Sequence, residues 1–338
     1  MVAVLYPGGE AARNNRDILG SAENALGLPD FLGDEHELVV LTDKEAALDR
    51  ELPDADVLIT TPFWPAYVTA ERLENARNLK LILTAGVGSD HIDLDAAERR
   101  GITVGEITGS NVVSVAEHNV MQLLALVRNY LPAYQQVVEG RWDLGEIADR
   151  SHDLEGKTVG IIGFGQIGAR TALRLKPFEV DLRYNARHRR TPAEEATTGA
   201  TYAALDDLVA DSDAIVLACP LTPQTRNLFD RDRLLAMKRG SWLVNTARGQ
   251  IVDTQALVEV LESGHLAGYA GDVWYPQPAP ADHPWRTMPR HAMTPHVSGT
   301  TLDAQRRYAQ GVRKCLAAFF AHEDLPEDFH VAGPGTGD

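Results

Sequence analysis

Cysteine is nearly absent: the 338 residues hold only Cys219 and Cys315. Neither sits in a metal-ligand spacing, and two thiols so far apart read as separate free thiols rather than a disulfide framework. No metal is expected. Long hydrophobic runs are also missing, since no apolar stretch approaches the roughly 20 residues of a membrane span. The first residues, Met1 to Gly9, carry a short apolar run without a basic flank or cleavage signal, so they read as a first strand and not a signal peptide. Positive charge is in deficit, with 32 Lys and Arg against 48 Asp and Glu and a net charge of -16. Such a surface repels phosphate backbones and anionic membranes, which excludes nucleic acid and membrane as partners. It also repels small anions at long range, so any anion site must be locally basic. A reducing cytoplasm is the expected compartment.

What is present is an ordinary globular composition, 44% hydrophobic and 24% charged. The length predicts two domains, each with chain enough for a buried core. Short runs rich in Val, Ile and Leu alternate with helical patterns. Val2–Leu5, Leu38–Leu41, Val57–Thr60, Leu81–Thr84 and Ile102–Val104 form a first set of predicted strands. Helical patterns at Ala66–Ala76 and Leu94–Arg99 lie among them. A long amphipathic segment, Ser114–Asn129, follows; Ser114 with Glu117 predicts a capping box at its start. A second strand set comprises Thr158–Ile162, Val180–Tyr184, Ala214–Leu217, Trp242–Asn245, Ala267–Asp272 and Ala292–Thr294. The alternation predicts α/β architecture with two doubly wound, Rossmann-like parallel sheets. A last helix is predicted over Leu302–Ala321, followed by a loosely ordered Gly/Pro-rich tail.

Residues 158–168 place Gly163-x-Gly165-x-x-Gly168 directly after a strand and at the start of a helix. Gly163 permits the tight turn, Gly165 admits a pyrophosphate close to the backbone, and Gly168 lets helix and strand pack closely. The helix N-terminus then offers its N–H groups to phosphates. In this context the pattern predicts a dinucleotide site. A second strand that binds NAD normally ends in a carboxylate for the ribose hydroxyls. Here that strand runs into Asn185-Ala186-Arg187-His188-Arg189-Arg190 and has no acid at its end. Asp181 comes too early and is expected to face solvent. A basic run there suits the 2′-phosphate of NADP, although it also suits a solvated loop.

Further stretches look chemical. Arg248, in Asn245-Thr-Ala-Arg-Gly249, follows a strand and points its planar fork toward the ligand crevice, or else makes a structural salt bridge. Asp272 ends another strand and either meets the nicotinamide end of a cofactor or caps a turn. His296, in Thr294-Pro-His-Val-Ser-Gly299, is a candidate for the reaction centre.

These stretches carry a family resemblance. The chain resembles the NAD-dependent formate dehydrogenases within the D-2-hydroxyacid dehydrogenase superfamily. The matching segments include Tyr6–Gly9, Pro62–Tyr67, Leu83–His91, Ser114–His118, Val127–Pro132, Asn245–Gly249, Ala267–Trp274, Pro276–Pro280, His283–Pro289 and Thr294–Thr301. Pro-Gln-Pro-Ala-Pro and His-Pro-Trp-Arg are far more specific than the glycine loop. The resemblance implies that the cofactor domain, 112–297, is inserted into a substrate domain made of 1–111 and 298–338, with the active site in the cleft between them. It also implies a homodimer formed around the long helix after Ser114.

Site roles follow from the same resemblance. Arg248 binds the formate carboxylate, Asn111 its other oxygen, and the Val87 N–H assists; Pro62 and Phe63 form an apolar wall. His296 and Gln277 pair beside the nicotinamide. Gly163, Gly165, Gln166, Ile167 and Gly168 form the pyrophosphate loop. Pro220 and Thr225 line the adenosine pocket, Thr246 and Asp272 meet the nicotinamide end, and Ser298 and Gly299 flank His296. A 2-hydroxyacid dehydrogenase pairs its histidine with glutamate because a hydroxyl proton must move. Formate loses a hydride and no proton, which suits a neutral Gln277.

The chain departs from the family at four positions. Ala186 stands where NAD-dependent members carry aspartate, and Gln224 where many carry glutamate. Gln166 replaces a frequent arginine, and Ser110 a common cysteine. The first two point to NADP as well as NAD, with Arg187 and His188 or Arg189 on the 2′-phosphate. Two alternatives accompany this reading: a D-2-hydroxyacid or phosphite dehydrogenase of the same fold, and a nucleotide-sensing binding protein.

Overall fold

The computed structural model describes residues 1–5, 25–62 and 65–334. Phe63, the Tyr6–Gly9 segment and the last tail residues lie outside the described residues. The chain divides into two compact units, one of Met1–Asn111 with Gly299–Asp338 and one of Val112–Ser298.

In the first unit, β1 (Val2–Leu5), β2 (Leu38–Leu41), β3 (Val57–Thr60), β4 (Leu81–Thr84) and β5 (Thr103–Glu106) run parallel in the order β5-β4-β3-β1-β2. β1, β3 and β4 are buried throughout, because helices cover both faces. Alternate side chains serve two cores. Val2, Val4, Val57, Ile59, Leu81 and Leu83 pack with the last helix, Leu302–Phe320. Ala3, Leu5, Leu58, Ile82 and Val104 pack on the other side with Leu48, Leu73 and Ala97. This period of two is the pleat expressed as packing.

The second unit holds a seven-stranded sheet. Its strands are β6 (Thr158–Ile162), β7 (Asp181–Asn185), β8 (Thr201–Tyr202), β9 (Ala214–Leu217), β10 (Trp242–Asn245), β11 (Gly268–Gly271) and β12 (His291–Met293). The order is β12-β11-β10-β9-β6-β7-β8, all parallel. Winding reverses between β6 and β9, which opens a crevice at their C-terminal ends.

Three expectations need correction. Ser114 is no cap, because the helix begins at Val112 and Ser114 is buried inside it. The Gly/Pro-rich tail is partly ordered: β13 (His330–Ala332) adds to β5 as an antiparallel edge strand. Strands at Ile102, Val180, Ala267 and Ala292 begin or end a residue or two away from expectation, where side-chain pattern gives way to backbone pairing. Asp181 is exposed, in an ion pair with Arg183. Both cysteines are free and buried. Burial pushes the Cys219 thiol up to about 11 and the Cys315 thiol up to about 12, which keeps both protonated and unreactive. No helix among the described residues is long and apolar enough to cross a membrane.

Candidate active site

The glycine turn sits at the reversal of the second sheet. Gly163 has φ 91°, and a Cβ there would collide with the backbone of Ala218 and Cys219 just after β9. Only glycine permits this turn. Its N–H donates to Asn185 O (2.9 Å), which ties the turn to the end of β7. At Gly165 the space a Cβ would enter is empty to 4 Å. Gly165 is also the N-cap of helix Gln166–Leu175 and gives it no side-chain cap. An open N-terminus beside a clear approach is what a pyrophosphate needs, so these residues fit a dinucleotide. Gly168 packs onto Gly163 O, too close for any side chain.

The basic run after β7 divides into distinct roles. Ala186 is half-buried, while Arg187 and His188 are exposed. Arg189 is paired with Glu195 through two bonds of 2.9 and 3.0 Å. Arg190, the last of the run, donates from Nε to Phe164 O (2.9 Å), inside the glycine turn. Phe164 stacks on Tyr184 at 4.1 Å, and the Tyr184 hydroxyl accepts from the Arg190 N–H and donates to Glu195. Arg190 also lines a cavity with Gly165 and Gln166. After β9, the Thr225 hydroxyl donates to Pro220 O (2.7 Å), bringing these two predicted residues together with exposed Gln224 on the same turn.

At the end of β10 the fully buried Asn245 shapes the loop that carries Arg248. Its Oδ1 accepts from the Ala247 N–H and its Nδ2 donates to Arg248 O, both at 3.0 Å. A Cβ at Gly249 would stand 2.7 Å from the Trp274 carbonyl carbon, so this loop lies directly on the next one. The Thr246 hydroxyl donates to Asn119 Oδ1 (2.7 Å), and Asn119 Nδ2 to Thr171 Oγ1 (3.2 Å). This buried polar chain connects the β10 loop to the cofactor helix.

His296 lies past β12. Its Nδ1 is 2.9 Å from Gln277 Oε1. An amide oxygen only accepts, so the imidazole carries a proton on Nδ1. His296 has φ 58°, in the left-handed region, which costs a non-glycine residue about 1–3 kcal/mol. Asp272 holds the turn against that cost. Its fully buried carboxylate accepts from the Val297 N–H (2.9 Å), the Ser298 N–H (2.8 Å) and the Thr294 hydroxyl. These bonds make Asp272 a cap of the turn. His118 also meets the Thr294 hydroxyl (3.3 Å); burial holds its pKa below the usual imidazole range, against the opposing pull of Asp272.

The first unit gathers a separate group. Pro62 packs on Gly86, where a Cβ would meet the Pro62 ring at 2.7 Å. Glu106, absent from the sequence reading, accepts from the Gly88 N–H and the Ser89 hydroxyl, each at 2.9 Å, and so fixes the loop carrying Val87. Asn111 is buried against Gly299, and its Oδ1 finds no partner among the described residues. Glu106 carries no motif, since a lone glutamate ending a strand looks like any other.

The chain is similar to known proteins in sequence and in fold. The family described as D-isomer specific 2-hydroxyacid dehydrogenase, NAD binding domain, matches residues 120–298. Mitochondrial formate dehydrogenase of Solanum tuberosum is 51% identical over 99% of this chain and 89% of its own length. Among solved structures, NAD-dependent formate dehydrogenase from Staphylococcus aureus in complex with NAD is 51% identical, covers 99% of both chains and superposes with a TM-score of 0.92. D-Lactate dehydrogenase from Aquifex aeolicus, complexed with NAD and lactic acid, is 27% identical over 99% of this chain and all of its own, with a TM-score of 0.87. The chain belongs to the formate dehydrogenases of the D-2-hydroxyacid dehydrogenase superfamily.

Proposed function

We propose that this protein oxidises formate to carbon dioxide by direct hydride transfer to a nicotinamide dinucleotide, and that it accepts NADP as well as NAD. The observation that carries the reaction is the bond between His296 and Gln277. A neutral amide orients the imidazole and does not ionise near neutral pH, so it takes no part in an acid–base relay, which suits a substrate that gives up a hydride alone. The dinucleotide, when bound, supplies the hydride acceptor. Gly163, Gly165, Gln166, Ile167 and Gly168 hold its phosphates, Pro220 and Thr225 line the adenosine, and Thr246 lies toward the nicotinamide.

Arg248 receives the carboxylate with its planar fork, and His296 orients it. Asn111, the Val87 N–H and the Pro62–Phe63 wall complete the formate contacts on the strength of the resemblance. As C–H cleavage proceeds the substrate loses its charge, so residues that exclude water favour the step. Positioning and fixed dipoles supply the rate. The 27% identical D-lactate dehydrogenase shares the fold, but Gln277 disfavours hydroxyl chemistry here. Turnover of formate measured beside D-lactate and phosphite tests this: formate must be the fastest substrate.

NADP acceptance rests on the missing carboxylate at Ala186 and on three arginines and a histidine in succession, Arg187, His188, Arg189 and Arg190. With Arg189 paired to Glu195 and Arg190 to Phe164, exposed Arg187 and His188 are the groups best placed to take a 2′-phosphate.

A homodimer is the quaternary form we propose. Met121, Tyr134, Val137, Val138, Trp142 and Leu144 stay exposed on the helices after Val112 and the connection between them, and large apolar side chains left exposed together mark an interaction surface. A second copy covers such a face. Cytoplasmic residence is proposed from the two reduced cysteines, although the Solanum tuberosum relative is named mitochondrial.

A further inference from the structure

We propose that Arg286 and His283 are positioning residues for Gln277, and through it for the His296 imidazole; the inference rests on the reaction centre proposed above. Gln277 lies in Pro276-Gln-Pro-Ala-Pro280, where three of five residues lack an N–H. The peptide bonds before Pro276 and Pro278 are cis. A loop of this composition has carbonyls to satisfy and few amides to lock itself against a neighbour, so its position must be set by donors from elsewhere.

The His283-Pro-Trp-Arg286 turn provides them. Arg286 donates from Nε to Pro280 O (2.8 Å) and from Nη2 to Ala279 O (2.7 Å), gripping two successive carbonyls with one planar fork. The His283 N–H donates to Pro280 O as well (3.1 Å). On the other side of Gln277, His283 Nε2 donates to Tyr275 O (3.2 Å), while its Nδ1 accepts from the Trp285 N–H (3.2 Å). Gln277 is thus bracketed, with Tyr275 held on one side and Ala279 and Pro280 on the other.

The clamp is anchored in turn. Trp285 is buried and its indole donates to Thr254 O (3.1 Å), on the helix after β10. The Arg286 guanidinium lies 5.4 Å from the centre of the Trp274 ring, and Trp274 Nε1 donates to Thr294 O (2.8 Å), two residues before His296. One turn therefore braces both ends of the His296–Gln277 bond. Arg286 itself is exposed, so its side chain adds little to the core, and its two bonds to the loop carbonyls are its main contacts.

Arg286→Leu removes both carbonyl contacts, and Arg286→Lys keeps one donor. Both are compared with the native full chain by kcat and KM for formate, by titration of reduced cofactor, by thermal midpoint, and by ring 15N shifts of His296 in protein carrying 15N-histidine. The expected result for Arg286→Leu is a kcat lowered by about ten- to a hundredfold, as for a misplaced catalytic group, with cofactor affinity unchanged. The His296 signals should leave the Nδ1–H tautomer for an averaged one. Arg286→Lys should recover part of both. An unchanged kcat and unchanged 15N shifts in Arg286→Leu would overturn the proposal, as would a loss of kcat that merely follows a lowered thermal midpoint. If the native chain does not oxidise formate, the reaction reading fails, and the 15N shifts alone still decide whether Arg286 sets the His296–Gln277 pair.

Discussion

The imidazole Nδ1 of His296 lies 2.9 Å from the amide oxygen of Gln277, so the histidine is held by a neutral partner in one tautomer. This separates the site from one built to move a hydroxyl proton. Gln277→Glu places a carboxylate against the imidazole and stabilises its cation. The inflection in the pH profile of formate kcat/KM that reports His296 should move up by about one unit or more. Profiles recorded for both proteins check this; superimposable curves would show that residue 277 does not govern the histidine.

Ala186 follows β7 directly, beside the glycine turn that Asn185 O holds. Ala186→Asp restores an acid where a 2′-phosphate would lie, and like charges in contact cost several kcal/mol. The ratio of kcat/KM for NADP to that for NAD should fall by about tenfold or more. An unchanged ratio would remove Ala186 from the account of cofactor choice.

Asp272 accepts from two backbone amides and a hydroxyl while fully buried. Asp272→Asn turns one acceptor oxygen into an NH2 facing an N–H donor. A buried donor left unsatisfied costs about 1–3 kcal/mol, and the strained backbone of His296 loses its brace. Both the thermal midpoint and kcat should fall, in calorimetry and steady-state assays. Loss of kcat at full stability would give Asp272 a direct catalytic role instead.

Burial lowers the pKa of His118 in the fold, against the opposing pull of Asp272. Above the unfolded value, about 6.5, the ring is neutral in both states and its contribution to stability is fully present. As pH falls through that value the unfolded chain takes up the proton first, and the contribution is lost until the folded pKa is reached. His291 is lowered by burial in the same direction. The thermal midpoint should drop between about pH 7 and pH 5, and drop less in His118→Gln. Identical curves for the two proteins would exclude His118 as a source of the acid sensitivity.

Much of this architecture was legible because the signals are local. Runs such as Val57–Thr60 and Ala214–Leu217 are buried on both faces, and continuous apolarity announces that directly. The Gly163 turn is legible for a steric reason that a single residue type solves. Ser114 misled because a capping pattern inside an amphipathic run looks the same whether the helix starts there or two residues earlier. Three working residues were obscure. Arg190 acts on a backbone carbonyl at Phe164, Glu106 on backbone and hydroxyl donors around Val87, and Arg286 on carbonyls at Ala279 and Pro280. Contacts between a side chain and distant backbone leave no spacing to read. The His-Pro-Trp-Arg stretch was visible as a resemblance, and only its geometry shows what the arginine holds.

The most direct test of the central claim is to supply formate carrying deuterium on carbon, with NAD and with NADP in separate reactions in ordinary water, and to follow the isotope by NMR. Direct hydride transfer predicts reduced cofactor bearing the deuterium at nicotinamide C4, produced with either dinucleotide and slower than with ordinary formate. Reduced cofactor carrying hydrogen from solvent, or no reduction at all, would contradict it.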